Sequence, residues 1–220
     1  MFCNPSLAPP GDVYRLLAGG IVPRPIAWVS TTSEDGVFNL APFSFFTVAS
    51  RNPAMLSISI GERDIQSENP AAKDTLTNIR DSGEFVVNIA TEELMAAVEA
   101  SSAAWPPGID EFQVTGVTPA SSRAVSAPRV AEAPVAYECV LAHELPLGTD
   151  VLVLGTVKNI EIADAVLDDR GRILLPKLRP LGRMSGPRFA KGLAEVTVAA
   201  PEAPSLTATQ RMHAQEVKPR

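Results

Sequence analysis

Hydrophobic positions along this chain fall in short runs broken by turn residues. The most telling is Ile26-Ala27-Trp28-Val29, which follows Pro23 and Pro25 and gives way at once to Ser30, Thr31 and Thr32. An unbroken apolar run of this length, entered through a proline-fixed corner, predicts a buried strand that ends in a polar cup. Ser33-Glu34-Asp35-Gly36 has turn chemistry, since Asp-Gly is a favoured hairpin corner, and the chain turns apolar again at Val37-Phe38. After a turn at Arg51-Asn52-Pro53, residues 54–60 mix apolar with small polar positions, as a half-buried strand stopped by Gly61 requires. Further strands are predicted over 84–90, 137–145 and 149–162, the last two joined by Pro146-Leu147-Gly148. The stretch 151–157 is almost continuously apolar, which suits the inside of a barrel.

Helical spacing is rarer. Asp12 is placed to cap a short helix over 13–17 that Gly19-Gly20 ends, an entry helix with no site assigned to it. Leu76 and Ile79 have helical spacing after Asp74, and Gly83 ends that helix. Thr91 reads as an N-cap, with Glu92 and Glu93 in a first turn where negative charge suits the helix dipole, and the helix runs towards Ser101. Residues 62–72 form a polar loop containing Arg63, 119–134 are irregular by composition, Asp168-Asp169-Arg170-Gly171 is a turn, and 178–188 form a basic, glycine-containing loop. Many short strands, a few helices and no regular β-α alternation predict a mainly β barrel with helical additions. One domain is expected over 1–198 and a flexible tail, rich in Ala, Pro and polar residues, over 199–220.

Composition narrows the function classes. The 220 residues are 45% hydrophobic and 20% charged, with 25 acids against 19 bases. Lysine and arginine are scattered without runs, which argues against nucleic acid as a partner. The start, Met1-Phe2-Cys3-Asn4-Pro5, lacks a basic segment and a long apolar stretch, and no run of about 18 apolar residues occurs, so a soluble, cytoplasmic protein with no membrane partner is expected. Cys3 and Cys139 lie far apart, and Cys139 sits in a strand-like run as a small buried hydrophobe. With two histidines, one of them in the tail, no histidine-rich metal site is available, and no G-x-S-x-G, P-loop or G-x-G-x-x-G is present.

Candidate chemistry concentrates in Asn39-Leu40-Ala41-Pro42-Phe43-Ser44-Phe45-Phe46. An amide, a proline, a hydroxyl and aromatic rings in eight positions suit a flat, polar-edged aromatic ligand, which needs apolar walls and a few placed hydrogen-bonding groups. Phe43, Phe45 and Phe46 cannot all face such a ligand, because neighbours on a strand alternate in direction. Ser30, Thr31 and Thr32 read in two ways: as ordinary strand-edge residues, or as hydroxyls and turn N–H groups that hold phosphate oxygens. A phosphate also wants cations, since charge-assisted hydrogen bonds are about twice as strong as neutral ones. Lys73 is the first candidate and Arg63 the second, followed by Arg24 and Arg183. Asp74 reads as a helix cap or a partner for Lys73.

The block R-P-I-A-W-V-S-T at 24–31, the block N-L-A-P-F-S at 39–44, and Lys73-Asp74-Thr75 followed by Asn78 resemble the flavin reductase-like, FMN-binding split-barrel family, which includes flavoredoxins and the reductase components of two-component monooxygenases. The resemblance covers roughly 13–191 and implies a Greek-key split β-barrel. It also implies FMN as cofactor, with Asn39, Ala41, Pro42, Ser44 and Phe45 along the ring, Lys73 facing the phosphate, and Thr75 among the cofactor-binding residues. NAD(P)H as co-substrate, a homodimer with the site at the interface, and a partner monooxygenase supplied with reduced flavin follow from it as well. No catalytic side chain is required, because hydride passes from nicotinamide to flavin. Two departures stand out. Where related reductases carry Gly-Asp-His, this chain reads Gly148-Thr149-Asp150-Val151, leaving His143 as the nearest substitute. In the family's R-x-G-G-x-x-Y segment, Ser185 takes the first glycine position and Phe189 lies near the tyrosine. The alternatives are a flavoredoxin-like FMN electron carrier with a protein donor, and a flavin-free barrel for another ligand.

Overall fold

The apolar run at 26–29 folds into the interior of a sheet covered on both faces. In the computed structural model, which describes residues 2–62 and 72–196, Ala27 and Val29 belong to one buried cluster with Phe43, Ile58, Phe85 and Val153, while Trp28 belongs to another with Leu40, Val98, Phe112 and Leu181. Alternate residues of one strand thus feed two cores, which is why the run carries no polar alternation.

The chain begins with α1 (Pro10–Gly20), followed by β1 (Arg24–Pro25), β2 (Ala27–Thr32), β3 (Phe38–Phe43), β4 (Phe46–Arg51) and β5 (Ala54–Gly61). Then come α2 (Asp74–Ser82), β6 (Glu84–Ile89), α3 (Met95–Ala100) and α4 (Glu111–Thr115), with a 3-10 turn (Glu92–Leu94) ahead of α3. The remainder comprises β7 (Pro119–Ala120), β8 (Arg129–Val130), β9 (Val135–Leu147), β10 (Asp150–Ile162), α5 (Leu175–Leu178), β11 (Gly182–Arg183) and β12 (Phe189–Ala190). Seven strands form one sheet in the order β3-β2-β6-β9-β10-β5-β4, and every pairing in it is antiparallel. A small second sheet, β1-β11-β12, joins the start of the barrel to its last described strands.

The predicted strands are present; β9 is longer than expected, taking in Pro146 and Leu147, β10 matches its expected span to within one residue, and the reversal is made by Gly148 at φ 70°. Gly83, at φ 71°, ends α2 as expected, and Lys73 occupies its N-cap position, so Asp74 stands in the first turn and is not the cap. Helix α1 extends past its expected bounds in both directions: Pro10 starts it, Asp12 sits in its first turn, and Gly19 and Gly20 complete its last turn. Strand β4 and helix α4 were not anticipated. Within 119–134 only the two-residue pair β7 and β8 is regular.

That irregular segment is held by one carboxylate. Glu138 is fully buried, and both its oxygens accept from Arg123 N at 3.0 Å, with Ala124 N at 2.6 Å and Asn159 Nδ2 at 3.0 Å completing the set. Burial pushes its pKa up, but these hydrogen bonds and the Arg123 charge together outweigh that and hold it below the ordinary glutamate value. Next to it, Cys139 is buried, and its thiol is pushed up to about 12, first by desolvation and then by Glu138, which leaves it an inert hydrophobe.

Two stability outcomes follow. A Cβ at Gly155 would overlap the Phe85 ring edge and come within 3.2 Å of Cys139 Cβ, so Gly155→Ala lowers stability by roughly 1–3 kcal/mol in denaturant titration. Because the folded-state pKa of Glu138 is depressed, its stabilisation is complete above the unfolded glutamate value and is lost as pH falls through and below it. Glu138→Ala therefore costs about 3 kcal/mol near neutral pH, and the gap to the wild type narrows in strongly acidic buffer.

Candidate functional site

A cavity of about 360 Å³ opens where β3, the start of α2 and the segment after α3 converge, within the range of small-molecule pockets. Strand β3 and the residue after it contribute Asn39, Ala41, Pro42, Phe43 and Ser44. The start of α2 contributes Asp74 and Thr75, with Lys73 at its cap. On the opposite side lie Val98 and Glu99 of α3, the small residues at 101–104 and Trp105. Tyr14, Arg183 and Phe189 edge the opening, and Glu111 completes the wall.

One buried hydrogen bond, one exposed ion pair and two cation–ring contacts brace the walls. Trp28, wholly inside, donates from Nε1 to Ser101 Oγ at 2.9 Å, tying the segment after α3 to β2. Arg183 stacks 4.7 Å from the Phe189 ring and lies 3.4 Å from Glu99, which links β11 and β12 to α3. Lys73 Nζ stands 5.4 Å from the centre of the Phe43 ring, a cation over an aromatic face at the cavity.

Behind β3 runs a polar chain. Asn78 Nδ2 donates to Thr31 Oγ1 at 2.9 Å; Thr31 and Thr75 donate to Asn39 Oδ1 at 3.3 and 2.7 Å. Asn39 Nδ2 then donates to both oxygens of Glu111 at 3.1 Å, and Leu40 N donates to Glu111 Oε2 at 3.1 Å. Glu111 is 6% exposed; desolvation raises its pKa and the negative charge of Asp74 adds to this, against the lowering effect of its hydrogen bonds.

Of the residues singled out from sequence, Asn39, Ala41, Pro42, Ser44, Lys73 and Thr75 come together around the cavity. Ser30, Thr31 and Thr32 do not line it. Ser30 is completely enclosed, donating to the Pro128 carbonyl and accepting from Asn88 Nδ2, and Thr31 is enclosed in the chain just described. Ser30 and Thr31 are enclosed because β2 is covered on both faces, and Thr32 Oγ1 is buried without a hydrogen-bond partner among the described residues, so the segment forms no open cup. Arg24 is likewise 6% exposed, and its guanidinium donates to the carbonyls of Ala18, Ile21 and Met184 and to Ser44 Oγ. It clamps α1, β11 and the end of β3, and reaches the cavity only through Ser44. Phe45 is 40% exposed, 6.3 Å from Tyr14, outside the lining. Arg63 lies outside the described residues. His143 sits in β9 opposite Leu154, also outside the lining.

Sequence reading missed Tyr14, Glu111 and the segment 98–105. The available signal for Glu111 was Asp110 followed by Glu111-Phe112, an N-cap with an acid in the first turn; Asp110 does accept from Phe112 N and Gln113 N. Among the described residues, no group of histidine, cysteine and carboxylates could hold a metal, and no helix is long and apolar enough to cross a membrane.

Residues 19–177 match the flavin reductase like domain. An uncharacterised protein of Aquifex aeolicus is 40% identical over 186 residues, 84% of this chain and 93% of that one. Among solved structures, nitrilotriacetate monooxygenase component B from Bacillus cereus superposes with a TM-score of 0.84 at 34% identity, covering 90% of this chain and 98% of its own. The 2-nitrobenzoate 2-nitroreductase NbaA of Pseudomonas fluorescens superposes at 0.82 with 25% identity, covering 94% and 99%.

The enclosed hydroxyl gives a direct check on the β2 assignment. Ser30→Ala removes a bond to Pro128 and one from Asn88, so it lowers stability by about 1–2 kcal/mol in thermal or denaturant unfolding and leaves ligand affinity at the cavity unchanged.

Proposed function

Since the chain belongs to the flavin reductase-like family and has its split-barrel fold, we propose that the cavity is an FMN site and that the protein is an NAD(P)H-dependent flavin reductase. The observation that carries this reading is the convergence of two sequence blocks, 39–44 and 73–75, on one cavity with apolar, hydroxyl and cationic walls. When bound, FMN supplies the redox chemistry, taking a hydride from reduced nicotinamide and passing its electrons onward.

The residues fit the cofactor. Ala41, Pro42, Phe43 and Val98 offer apolar wall to a flat ring system, and Ser44 and Ser101 add hydroxyls at its margin. Lys73 at the cap of α2 supplies positive charge where the helix dipole is also positive, the arrangement a phosphate needs. Thr75 is 1% exposed and bonded to Asn39, so its part is to hold that wall in place. Nothing in the wall has to act as a nucleophile; the protein's work is to bind, orient and limit water.

Homodimerisation belongs to this reading. Strand β4 stands at one end of the sheet, and Val48, Leu145, Leu147 and Ile160, on β4, β9 and β10, are exposed apolar side chains that a second copy would cover. The likeness to a monooxygenase component B supports delivery of reduced flavin to a partner monooxygenase. A soluble, cytoplasmic reductase without nucleic-acid or membrane partners completes the proposal. One observation favours a second reading, a flavoredoxin-like carrier with a protein donor: His143, the nearest substitute for the family's nicotinamide-side histidine, is not at the cavity.

Anaerobic titration with NADH and then NADPH, with FMN present, separates the two. Rapid bleaching of oxidised-flavin absorption, catalytic in protein, is the expected result; FMN that stays bound and is reduced by dithionite but by neither nucleotide gives the electron-carrier reading. In the same preparation Lys73→Ala weakens FMN about tenfold, equal to ~1.4 kcal/mol, while riboflavin, which lacks the phosphate, binds both proteins alike.

A further inference from the structure

The Asn39 amide faces the cavity from β3, yet its oxygen already accepts from Thr31 and Thr75, and its NH₂ group donates to both Glu111 oxygens. Asn39 has no acceptor position left for a ligand, and turning its amide around would break this set. Every donor in the chain points towards Glu111, where the chain ends. A carboxylate has about four acceptor positions. Three donor groups are accounted for: the Asn39 amide, shared between both oxygens, Leu40 N on Oε2, and the residue's own backbone N–H. About one position remains, on a residue 94% buried that lines the cavity.

A buried anion with an open acceptor position calls for a donor, because a buried polar group that goes without a partner costs free energy. Asp74, lining the same cavity, adds negative charge, so the position is hostile to an acceptor atom on the ligand. On the oxidised isoalloxazine ring N3–H is the one ring N–H, and N1, N5 and both carbonyl oxygens only accept. We propose that Glu111 accepts the N3–H of the bound flavin and so selects the pyrimidine edge of the ring for the space between β3 and α4. This deepens the assignment of the cavity to FMN and rests on it. A reduced nicotinamide offers the same chemistry through its carboxamide NH₂, and the test distinguishes the two.

The experiment measures dissociation constants of FMN and of N3-methyl-FMN, by quenching of flavin fluorescence, for the wild type, Glu111→Ala and Glu111→Gln. In the wild type, N3-methylation is expected to weaken binding at least tenfold. In Glu111→Ala, FMN weakens by a similar factor and the two flavins become equal, because the group that tells them apart is gone. A Glu111 that only braced Asn39 would weaken both flavins equally and preserve their ratio, which overturns the proposal. Equal binding of both flavins by the wild type overturns it without any variant, so the test stands even if Glu111→Ala fails to fold. Glu111→Gln, which keeps the side-chain shape, is expected to retain part of the discrimination. If discrimination is absent for flavin but Glu111→Ala selectively weakens NADH over its 3-acetylpyridine analogue, which lacks the NH₂, the acceptor serves nicotinamide and the proposal falls. A wild type that binds no flavin removes the FMN assignment itself.

Discussion

The hydrogen-bonded chain from Asn78 through Thr31 and Asn39 to Glu111 is the interaction on which the site depends. It links α2, β2, β3 and α4, four elements whose backbone pairing alone would not fix the cavity's shape, since α2 and α4 meet the sheet only through side chains. Each link is buried, so a break leaves a donor or acceptor with no water to replace its partner, and the low dielectric strengthens the bonds that remain. The position of the Lys73-Asp74-Thr75 corner relative to β3 follows from Thr75 reaching Asn39.

The two buried glutamates show what decides the cost of such an arrangement. Glu138 collects backbone donors from Arg123 and Ala124, an amide from Asn159 and a nearby guanidinium, and its pKa falls despite desolvation. Glu111 has the Leu40 and Asn39 bonds and its own backbone, with Asp74 for a neighbour, and its pKa rises. The same side chain therefore ties down an irregular segment at one place and, at the other, sits hydrogen-bonded in the cavity wall with its charged form disfavoured.

Much of the fold was legible because it is local. Apolar runs bounded by glycine and proline locate β2, β5, β6, β9 and β10, and Leu76, Ile79 and Gly83 locate α2. The block at 39–44 stood out by its mixture of groups and 73–75 by its resemblance to the family, and both line the cavity. What stayed hidden depends on contacts between distant residues. That Ser30 and Thr31 turn inward follows from packing on both faces of β2, which no window of the sequence displays. Arg24 read as a candidate phosphate cation, yet its carbonyl partners at Ala18, Ile21 and Met184 carry no side-chain signature at all. Tyr14 and Glu111 lie on short helices whose position over the cavity is set only by tertiary contacts.

The pairing of β1 with β11 bears on how the molecule is assembled in time. Arg24 stands opposite Arg183, and its guanidinium reaches the Met184 carbonyl across 160 positions of chain. A nascent chain leaving the ribosome can close the hairpins β2–β3 and β4–β5 early, because their contacts are close in sequence, but the small sheet that carries Arg183 and Phe189 to the mouth has to wait for almost the whole domain. The cavity is therefore completed only after β11 and β12 have been made. Until then Arg24 has its near partners at Ala18, Ile21 and Ser44 but lacks the Met184 carbonyl, and the ordering of the first strand is linked to the arrival of the last.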